Sequence, residues 1–555
     1  MQIYQGKCIS DGIVTGRIAA YRAARKIRAT KATDADAELE RYRQAKQLAA
    51  EQLRELSRKA SAEVGQSEAA IFEMHQLMLG DRAYNQSVEE LVRNAGASAE
   101  YAVAATGDRL AQTFAALNDE MMQARAEDVQ DISKRLITNL QQEALDSAGS
   151  GEMPLGTGQT AGAVERVEKV ILAAEELTPS ETMQLDRNHI HALILRRGSL
   201  YSHSAILARA MGIPAILAEE LPAVEELDGK TAAMDAGKGI LYVEPDEETL
   251  AGLALLKEEQ AAYREAAAGM RGLETVSADG RRIRLYANLG SCGELEAVLQ
   301  NDAEGIGLFR SEFVYLGRQS FPSEEEQFQI YRTVAEAMAG REVIIRTLDI
   351  GADKQCAYFD LPAEENPAMG CRAVRICLKR PEIFKVQLRA LLRAGAFGRL
   401  DIMYPMITSV DEVRRIRELV EDTKRELEEE GIPYGDPRQG IMIETPAAVM
   451  ISRELAEEVD FFSIGTNDLT QYTLAIDRQN RGLDEFYDPH HPAILRMIRM
   501  TVENAHAAGI PVGICGELAA DRTLTTEFLS LGVDELSVSP EHILPLRKLI
   551  RESGR

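Results

Sequence analysis

The sequence predicts a multidomain α/β protein, in which an α/β domain with an inserted helical bundle is followed by a (β/α)8 barrel. Three observations support this fold class: a long proline-free segment, short β-like runs on both sides of it, and a regular strand–helix alternation over the second half of the chain. At 555 residues the chain is too long for one hydrophobic core, and two to four domains are expected.

The helical bundle is predicted over residues 23–145. No proline occurs before Pro154, and apolar residues recur at helical spacing, as Leu53, Leu56 and Ala60 do. This pattern is typical of an all-helical bundle of about four helices. The predicted breaks between the helices lie near Gly65, at Gly80–Asp81 and between Asn94 and Ser98.

The α/β domain is predicted to consist of residues 1–22 and 146–245. The first part contains a short strand, a glycine turn and a second strand, and the second part alternates apolar β-rich runs with helices. The bundle is therefore expected to be an insertion within this domain. A charged, alanine-rich stretch at 246–275 is predicted to form a linker helix.

The barrel is predicted over residues 276–555. Eight strands that are each followed by a helix are the signature of a (β/α)8 barrel, and the segment has the right length. The eight β-like runs are IRLYANLG, GIGLFR, EVIIRTLDI, DIMYPMI, GIMIETP, DFFSIGTND, IPVGICGE and DELSVSP.

Charged residues end several of these strands, and functional residues of such barrels lie at the C-terminal strand ends. A single arginine there could be an ion-pair partner, but three at one mouth beside Asn467 indicate a clamp for a small polyanion. The guanidinium fork matches phosphate and carboxylate geometry. The strand-end residues are Asn288, Arg310, Arg346, Asp349, Glu444, Thr466, Asn467, Asp468, Cys515 and Glu517, with Arg478 a little beyond.

Two of these residues suggest a metal ion. Glu444 and Asp468 end the fifth and sixth strands, and Mg²⁺ favours one or two carboxylates together with substrate oxygens. Either carboxylate alone is better explained as an arginine partner. Cys515 ends the seventh strand, so its thiol is expected to face the mouth, where it could protonate a carbanion. A free cysteine is more often a small buried hydrophobic residue, which is our interpretation of the other five.

His203 lies between Ser202 and Ser204, immediately before an amphipathic helix. The N-terminus of a helix favours a negative group, so a phosphoryl group on this imidazole would be well placed. Position alone nevertheless favours a surface histidine beside a serine cap. Among the other histidines, His75 is a possible interface residue.

Composition excludes several classes of partner and environment. The net charge of −26 argues against nucleic acid binding. The six scattered cysteines predict neither a disulfide framework nor a structural zinc site, and a cytoplasmic location is expected. There is neither an apolar run of about 18 residues nor a signal-peptide pattern, so direct membrane insertion is not expected.

Taken together, these segments resemble enzyme I of the bacterial sugar phosphotransferase system, a phosphoenolpyruvate–protein phosphotransferase. The similarity covers essentially the whole chain, and the GTNDLTQY and RTLDIG segments together are highly specific for the family. The matching segments include AIFEMHQLML (70–79), EDVQDISKRL (127–136), LTPSET (177–182), SHSAILAR (202–209), GIGLFRSEF (305–313), RTLDIGADK (346–354), IETPAA (443–448), FSIGTNDLTQYTLAIDR (462–478) and GICGELA (513–519).

The resemblance implies specific roles. His203 would be the phosphohistidine of a swivelling α/β domain, Glu444 and Asp468 would hold Mg²⁺, and Cys515 would protonate the pyruvate enolate. The bundle would dock the phosphocarrier protein HPr, and the active form would be a homodimer through the barrel. The residues implied to contact phosphoenolpyruvate are Arg310, Arg346, Lys354, Arg372, Asn467, Asp468, Arg478 and Glu517.

The sequence departs from the family pattern just before His203. The family usually shows Gly-Gly-Arg-Thr-Ser-His, whereas residues 198–203 are Gly-Ser-Leu-Tyr-Ser-His. Ala352 also replaces a usual glycine. These changes bear on the rate and on the identity of the protein acceptor more than on the chemistry, and a diverged paralogue that serves a special phosphocarrier fits them.

Two alternative functions remain at this stage. Pyruvate phosphate dikinase and phosphoenolpyruvate synthase share the histidine domain and the barrel. They also need a nucleotide-binding domain, and no such region is expected before the histidine domain here. The second alternative is a regulatory scaffold that has lost phosphorylation, against which the near-complete barrel site argues.

Overall fold

A computed structural model confirms the predicted fold class. The chain divides into two compact units, Met1–Gln260 and Ala261–Arg555. The structure describes residues 1–21, 34–63, 66–115, 120–148, 170–186, 189–199, 202–316, 318, 320–351, 356–362, 364–478 and 480–553.

The first unit is built on an eight-stranded mixed sheet with the strand order β1-β8-β7-β3-β4-β5-β6-β2. Strands β3 to β6 are parallel to one another, and the remaining pairings are antiparallel. The strands are β1 (Gln2–Gln5), β2 (Lys7–Ser10), β3 (Ile13–Ala20), β4 (Val170–Ala174), β5 (Ile190–Leu195), β6 (Ala215–Leu217), β7 (Thr231–Asp235) and β8 (Ile240–Val243).

The N-terminal segment forms three strands, so the expectation of two was wrong. The chain turns at Gly6, and the strands on its two sides, β1 and β2, lie at opposite ends of the strand order. A Cβ atom on Gly6 would come within 2.6 Å of the carbonyl oxygen of Leu217. Only glycine therefore allows the backbone to approach β6 this closely while it changes its pairing partner.

The bundle has five helices rather than about four, and it is inserted between the neighbouring strands β3 and β4. The stretch expected as the last helix contains two described helices, which pack against each other and each have a buried face. Val103 lies on the first, and Ile132 and Leu136 lie on the second. The helices are α1 (Ala35–Glu63), α2 (Gln66–Leu79), α3 (Arg82–Ala95), α4 (Ala99–Ala115) and α5 (Glu120–Ala148).

Both faces of the sheet in the first unit are buried, and successive side chains along each strand point to opposite faces. In β4, Leu172 packs into the core shared with the bundle, whereas Ile171 packs into a second core on the other face. Leu207 joins the bundle core and brings its helix against the inserted helices. The remaining helices of this part are α6 (Pro179–Met183), α7 (His203–Ala210), α8 (Val224–Leu227) and α9 (Glu247–Ala268), and the boundary between the units falls inside α9.

The second unit contains a closed, all-parallel barrel of eight strands, in which the last strand pairs with the first. Its strands are β9 (Arg284–Leu289), β10 (Gly305–Arg310), β11 (Glu342–Arg346), β12 (Leu400–Tyr404), β13 (Gln439–Ile443), β14 (Phe461–Ile464), β15 (Val512–Ile514) and β16 (Glu535–Val538).

Helices surround this barrel, and local sequence determines where two of the longest begin. Ser323 and Glu326 form a capping box at the start of α11, and Ser409 and Glu412 form another at the start of α14. The helices are α10 (Leu295–Gln300), α11 (Glu324–Ala337), α12 (Val374–Lys379), α13 (Pro381–Ala394), α14 (Val410–Glu430), α15 (Pro446–Met450), α16 (Ser452–Ala456), α17 (Thr466–Leu474), α18 (Pro492–Ala507), α19 (Thr525–Leu531) and α20 (Ile543–Glu552).

The main core of the second unit lies between the strands and the surrounding helices. A smaller apolar cluster, which includes Leu308, Met403 and Met442, contains strand residues that are not part of the main core. Polar side chains lie at both ends of the barrel. Those at the C-terminal ends of the strands form the candidate site. None of the helices that the structure describes is long and apolar enough to cross a membrane.

Candidate active site

Two buried arginines lie at the C-terminal end of the barrel. Arg346 is the last residue of β11, and its Nη2 pairs with Glu312 and lies 3.1 Å from Oδ2 of Asp349. Arg372 precedes α12, and its Nη2 donates to Oδ1 of Asp349 at 2.9 Å. Burial alone would lower the pKa of both guanidiniums, but the neighbouring carboxylates outweigh burial and raise it. Both arginines are therefore firmly cationic, and Asp349 holds them side by side.

Asp468 connects these arginines to Arg478. Its carboxylate lies 3.5 Å from Nη1 of Arg372 and 3.8 Å from Nη2 of Arg478. Tyr472, one turn further along α17, places its hydroxyl 3.2 Å from Nη1 of Arg372. The GTNDLTQY segment thus supplies both an acid and a phenol to the same cationic cluster.

Glu444 follows β13 and is almost fully buried. Its Oε1 accepts a 2.6 Å hydrogen bond from the backbone N–H of Met406. Burial, followed by repulsion from Asp468 and Asp349, raises the pKa of Glu444 to about 8. Glu444 thus lies in the electrostatic field of two other carboxylates, and a cation would relieve this repulsion.

Cys515 follows β15 and is also buried, as part of the small apolar cluster with Leu308, Met403 and Met442. Its Sγ lies 3.7 Å from the carbonyl oxygen of Ile464. Burial raises the pKa of the Cys515 thiol to about 11, and Arg346 and Glu444 are among its electrostatic neighbours. The group is a protonated thiol at neutral pH.

Hydrogen bonds between Asn467 and Glu517 connect the ends of two neighbouring strands. The side-chain amide of Asn467 donates to Oε1 of Glu517 at 3.2 Å, and its oxygen accepts from the Glu517 backbone N–H at 2.9 Å. Beside this pair is a cavity of about 330 Å³, a volume suited to a small ligand. Its lining residues are Thr466, Asn467, Thr470, Tyr487, Pro489, Glu517, Leu518, Ala520 and Asp521.

Arg310 is the exposed last residue of β10. Lys354, which the resemblance adds to this site, lies outside the described residues, as does Ala352. Ion pairs connect four of the predicted residues. Asp349 joins Arg346 to Arg372, and Asp468 joins Arg372 to Arg478.

Two further contributors escaped the sequence analysis: Glu312, the partner of Arg346, and Tyr472. Each lies inside a segment that carries the family resemblance, GIGLFRSEF and GTNDLTQY respectively. The family resemblance of these two segments is the sequence feature that could have identified both residues.

His203 is in the first unit and begins α7. The Ser202 hydroxyl caps this helix by accepting the N–H of Ala205 at 3.3 Å. The His203 side chain is 29% exposed, and its Nδ1 lies 3.0 Å from Oδ1 of Asp128 on α5. The ring is therefore held on one side and open to a reactant on the other. Leu200 and Tyr201, which depart from the family pattern, lie outside the described residues.

His75 is not an interface residue, because its side chain is completely buried. Its Nε2 lies 2.9 Å from the same Oδ1 of Asp128, and its Nδ1 lies 3.2 Å from Oδ2 of Asp131. Burial would lower the pKa of His75, but the two carboxylates outweigh it and raise the pKa to about 9. Asp128 and Asp131 were not predicted from the sequence, although their three-residue spacing places both on one face of a helix.

Comparisons with known proteins identify the family of the chain. Three family descriptions match the chain: "PEP-utilising enzyme, N-terminal" over residues 5–125, "PEP-utilising enzyme, mobile domain" over 167–239, and "PEP-utilising enzyme, PEP-binding domain" over 264–555. The last description covers the whole barrel.

Two individual relatives show how far the similarity extends. The phosphoenolpyruvate-protein phosphotransferase of Staphylococcus carnosus is 39% identical over 94% of this chain and 88% of its own length. That of Haemophilus influenzae is 38% identical over 98% of this chain and 93% of its own. The solution structure of an Enzyme I protein, nEIt, covers 46% of this chain and 99% of its own, with 26% identity and a TM-score of 0.35.

Identity above 30% over nearly the full length of both chains confirms the resemblance that the motifs indicated. The chain belongs to the phosphoenolpyruvate-protein phosphotransferase family and is a transferase.

Proposed function

We propose that this chain transfers the phosphoryl group of phosphoenolpyruvate to His203, releases pyruvate, and then passes the phosphoryl group to a histidine of an HPr-type phosphocarrier, the first step of sugar uptake by the phosphotransferase system. The observation that carries the proposal is the cluster of Arg346, Arg372 and Arg478 with its carboxylates at the barrel mouth. Phosphoryl transfer depends mainly on positioning and on cations that neutralise the transferring group, and this cluster supplies both.

We assign phosphoenolpyruvate to this cluster because the substrate carries a phosphate and a carboxylate. Arg346 and Arg372 are buried and oriented by Asp349, so little side-chain entropy is lost on binding. Exposed Arg310 could close over the ligand from the neighbouring strand end. The full proposed contact set is Arg310, Arg346, Lys354, Arg372, Asn467, Asp468, Arg478 and Glu517.

We propose that Glu444 and Asp468 hold Mg²⁺. They are hard oxygen donors, and burial, followed by repulsion from Asp468, raises the pKa of Glu444. In the described part of the chain, no group of three or more His, Cys, Asp or Glu side chains could hold a metal ion by itself. When bound, the ion would neutralise charge on the phosphoryl oxygens.

The protonated thiol of Cys515 fits the role of proton donor to the enolate of pyruvate. Loss of the phosphoryl group leaves an enolate whose carbon must gain a proton. A thiol with a pKa of about 11 keeps its proton at neutral pH, and its buried position places this donor inside the barrel mouth.

We place the phosphocarrier on the bundle. Leu77 on α2 is 70% exposed and Met74 is 38% exposed, although both are apolar and neighbour the buried His75 in sequence. Exposed apolar side chains on the helix that carries His75 suit a transient protein contact. Leu77→Glu is expected to slow transfer to an HPr-type protein without slowing labelling by phosphoenolpyruvate, whereas Leu255→Glu, at a leucine on α9 that is 58% exposed, changes neither.

Two finer points belong to the same proposal. We expect a homodimer through the barrel, which sedimentation equilibrium would show as twice the mass of the chain. We also expect a cytoplasmic location, since all six cysteines are unpaired thiols, as in a reducing compartment.

Incubation with ³²P-labelled phosphoenolpyruvate and Mg²⁺ tests the central proposal. We expect an acid-labile label on the wild-type protein and on His189→Ala, a matched exposed histidine of the same unit, but none on His203→Ala. A label that survives His203→Ala, or no label on the wild type, contradicts the proposal. A requirement for ATP would instead favour a dikinase.

A further inference from the structure

A row of buried titratable side chains extends from His203 into the bundle. Oδ1 of Asp128 lies 3.0 Å from Nδ1 of His203 and 2.9 Å from Nε2 of His75. On the far side of His75, Oδ2 of Asp131 lies 3.2 Å from Nδ1 and accepts a 2.6 Å hydrogen bond from the Ser180 hydroxyl. The row thus joins α7, α5, α2 and α6.

The chemistry of the row determines where its protons lie. An ionised carboxylate only accepts hydrogen bonds, so Nδ1 of His203 carries a proton toward Asp128. Nε2 of the neutral His203 ring then has the free lone pair. Both nitrogens of His75 face carboxylates, so this ring carries two protons and a positive charge, in line with its pKa of about 9.

Asp128 is well suited to remain ionised. Burial would raise the pKa of its carboxyl, but the hydrogen bonds with His203 and His75 outweigh burial and hold the pKa well below its usual range. Other titratable groups that act on the row are Glu127 beside His203 and, on Asp131, Arg135 and Tyr21. The buried charges are thus arranged as alternating signs, which a buried cluster needs in order to be stable.

We propose that Asp128 is a positioning residue for phosphorylation of His203, with the His75 cation fixing Asp128 in turn, so that the inserted bundle sets the tautomer and orientation of the reactive ring. This inference rests on the proposed function of His203. It assigns the bundle a part in the phosphoryl transfer itself, in addition to docking a partner.

The step balances as follows in atoms and electrons. The lone pair on Nε2 of His203 forms the N–P bond, while the P–O bond to the enol oxygen of phosphoenolpyruvate breaks. The enolate leaves with that electron pair and gains a proton at carbon to become pyruvate. The proton on Nδ1 stays in place, and the positive charge that develops on the ring is stabilised by the Asp128 carboxylate.

The test is a pair of measurements on the full-length protein. ¹⁵N NMR of the histidine rings reports the tautomer of His203, and rapid-quench labelling with ³²P-phosphoenolpyruvate and Mg²⁺ reports the rate. In the wild type we expect the Nδ1–H tautomer. Asp128→Asn is expected to shift the ring toward Nε2–H and to slow labelling by about 10- to 100-fold, by analogy with carboxylates that orient metal-binding histidines. Asp108→Asn, an exposed aspartate of α4, is the matched control and changes neither.

Each outcome decides the inference. An Nε2–H tautomer in the wild type, or a folded Asp128→Asn protein labelled within twofold of the wild-type rate, overturns it. If Asp128→Asn fails to fold, His75→Gln replaces it, with a smaller loss of rate and a partial tautomer shift expected and no change counting against the inference. If the wild type takes no label from phosphoenolpyruvate, the proposed function fails, while the tautomer measurement still tests the role of Asp128.

Discussion

Asp349 accepts a 2.9 Å hydrogen bond from Arg372 at the barrel mouth. The other oxygen of the same carboxylate lies 3.1 Å from Arg346, so one acid orients two guanidiniums. All three side chains are buried. The two arginines therefore keep a fixed spacing before any anion arrives, which lowers the cost of binding a polyanion.

Replacement of Asp349 is expected to damage both stability and substrate binding. Asp349→Ala leaves two buried guanidiniums without their shared partner, and we expect the free energy of unfolding to fall by about 3–5 kcal/mol. Guanidinium chloride unfolding of the barrel unit within the full chain measures this loss. Asp436→Ala, at a highly exposed aspartate, is the control with a change of less than about 0.5 kcal/mol. Equal stability of the two variants would show that Asp349 does not carry this charge balance.

Arg310→Met should weaken phosphoenolpyruvate binding without affecting the fold. The side chain is exposed, so no packing is lost, whereas one charged contact to the ligand contributes about 1.5–3 kcal/mol, or about 10- to 100-fold in Kd. Calorimetric titration in a His203→Ala background measures Kd without turnover. Arg425→Met, an exposed arginine of α14, serves as the control. An unchanged Kd for Arg310→Met would remove Arg310 from the proposed site.

Cys515→Ala is expected to act on a different step from His203→Ala. Removal of a proton donor slows pyruvate formation by about 10²- to 10⁴-fold, while His203→Ala abolishes labelling altogether. A coupled assay for pyruvate, run beside the labelling assay, separates the two. Cys377→Ala, at another buried cysteine, controls for loss of packing. Equal and total loss of both activities from Cys515→Ala would mean that its role is misassigned.

The pH dependence gives a second test of Cys515. Because burial raises the pKa of its thiol to about 11, the donor stays protonated across the neutral and mildly alkaline range. We expect no decline in pyruvate formation caused by this group below about pH 10. A decline centred near pH 8.5, the usual value for a cysteine, that disappears in Cys515→Ala would contradict the buried, protonated thiol.

Glu535, at the N-terminal start of β16, should make the barrel less stable as pH rises. Burial, with Arg284 opposing it, raises the pKa of Glu535 to about 8, above its value in the unfolded chain. The folded state then holds a proton that the unfolded state releases, so stability is fully present below about pH 4.3 and is lost as pH rises through about 8, at up to about 1.4 kcal/mol per pH unit.

Glu535→Gln removes the pH dependence that this carboxyl contributes to stability. The unfolding free energy of the variant should therefore fall less than that of the wild type between pH 5 and pH 9. At pH 9 it should exceed that of the wild type. Denaturant unfolding at several pH values measures the slope. Glu454→Gln, an exposed glutamate, should keep the wild-type slope. A parallel slope for Glu535→Gln would show that the carboxyl is ionised in the folded state.

Much of the barrel and its mouth could be predicted from local pattern. The eight strands follow from the strand–helix rhythm, and each predicted run overlaps one observed strand. Arg346, Glu444 and Asp468 could be placed at one mouth because the C-terminal ends of parallel strands meet at the same end of a barrel. The family resemblance then added Arg372, which lies in a loop and not at a strand end.

The tertiary structure alone decided which of these groups touch and which are buried. Nothing in the sequence shows that Asp349 serves both Arg346 and Arg372, since ion-pair partners depend on side-chain packing around the closed barrel. In the same way, His75 and Asp128 are 53 residues apart on two helices, and they meet only because α2 and α5 share one core. Sequence periodicity identifies the faces that helices bury. Only the packed fold brings a buried histidine and two acids beneath His203.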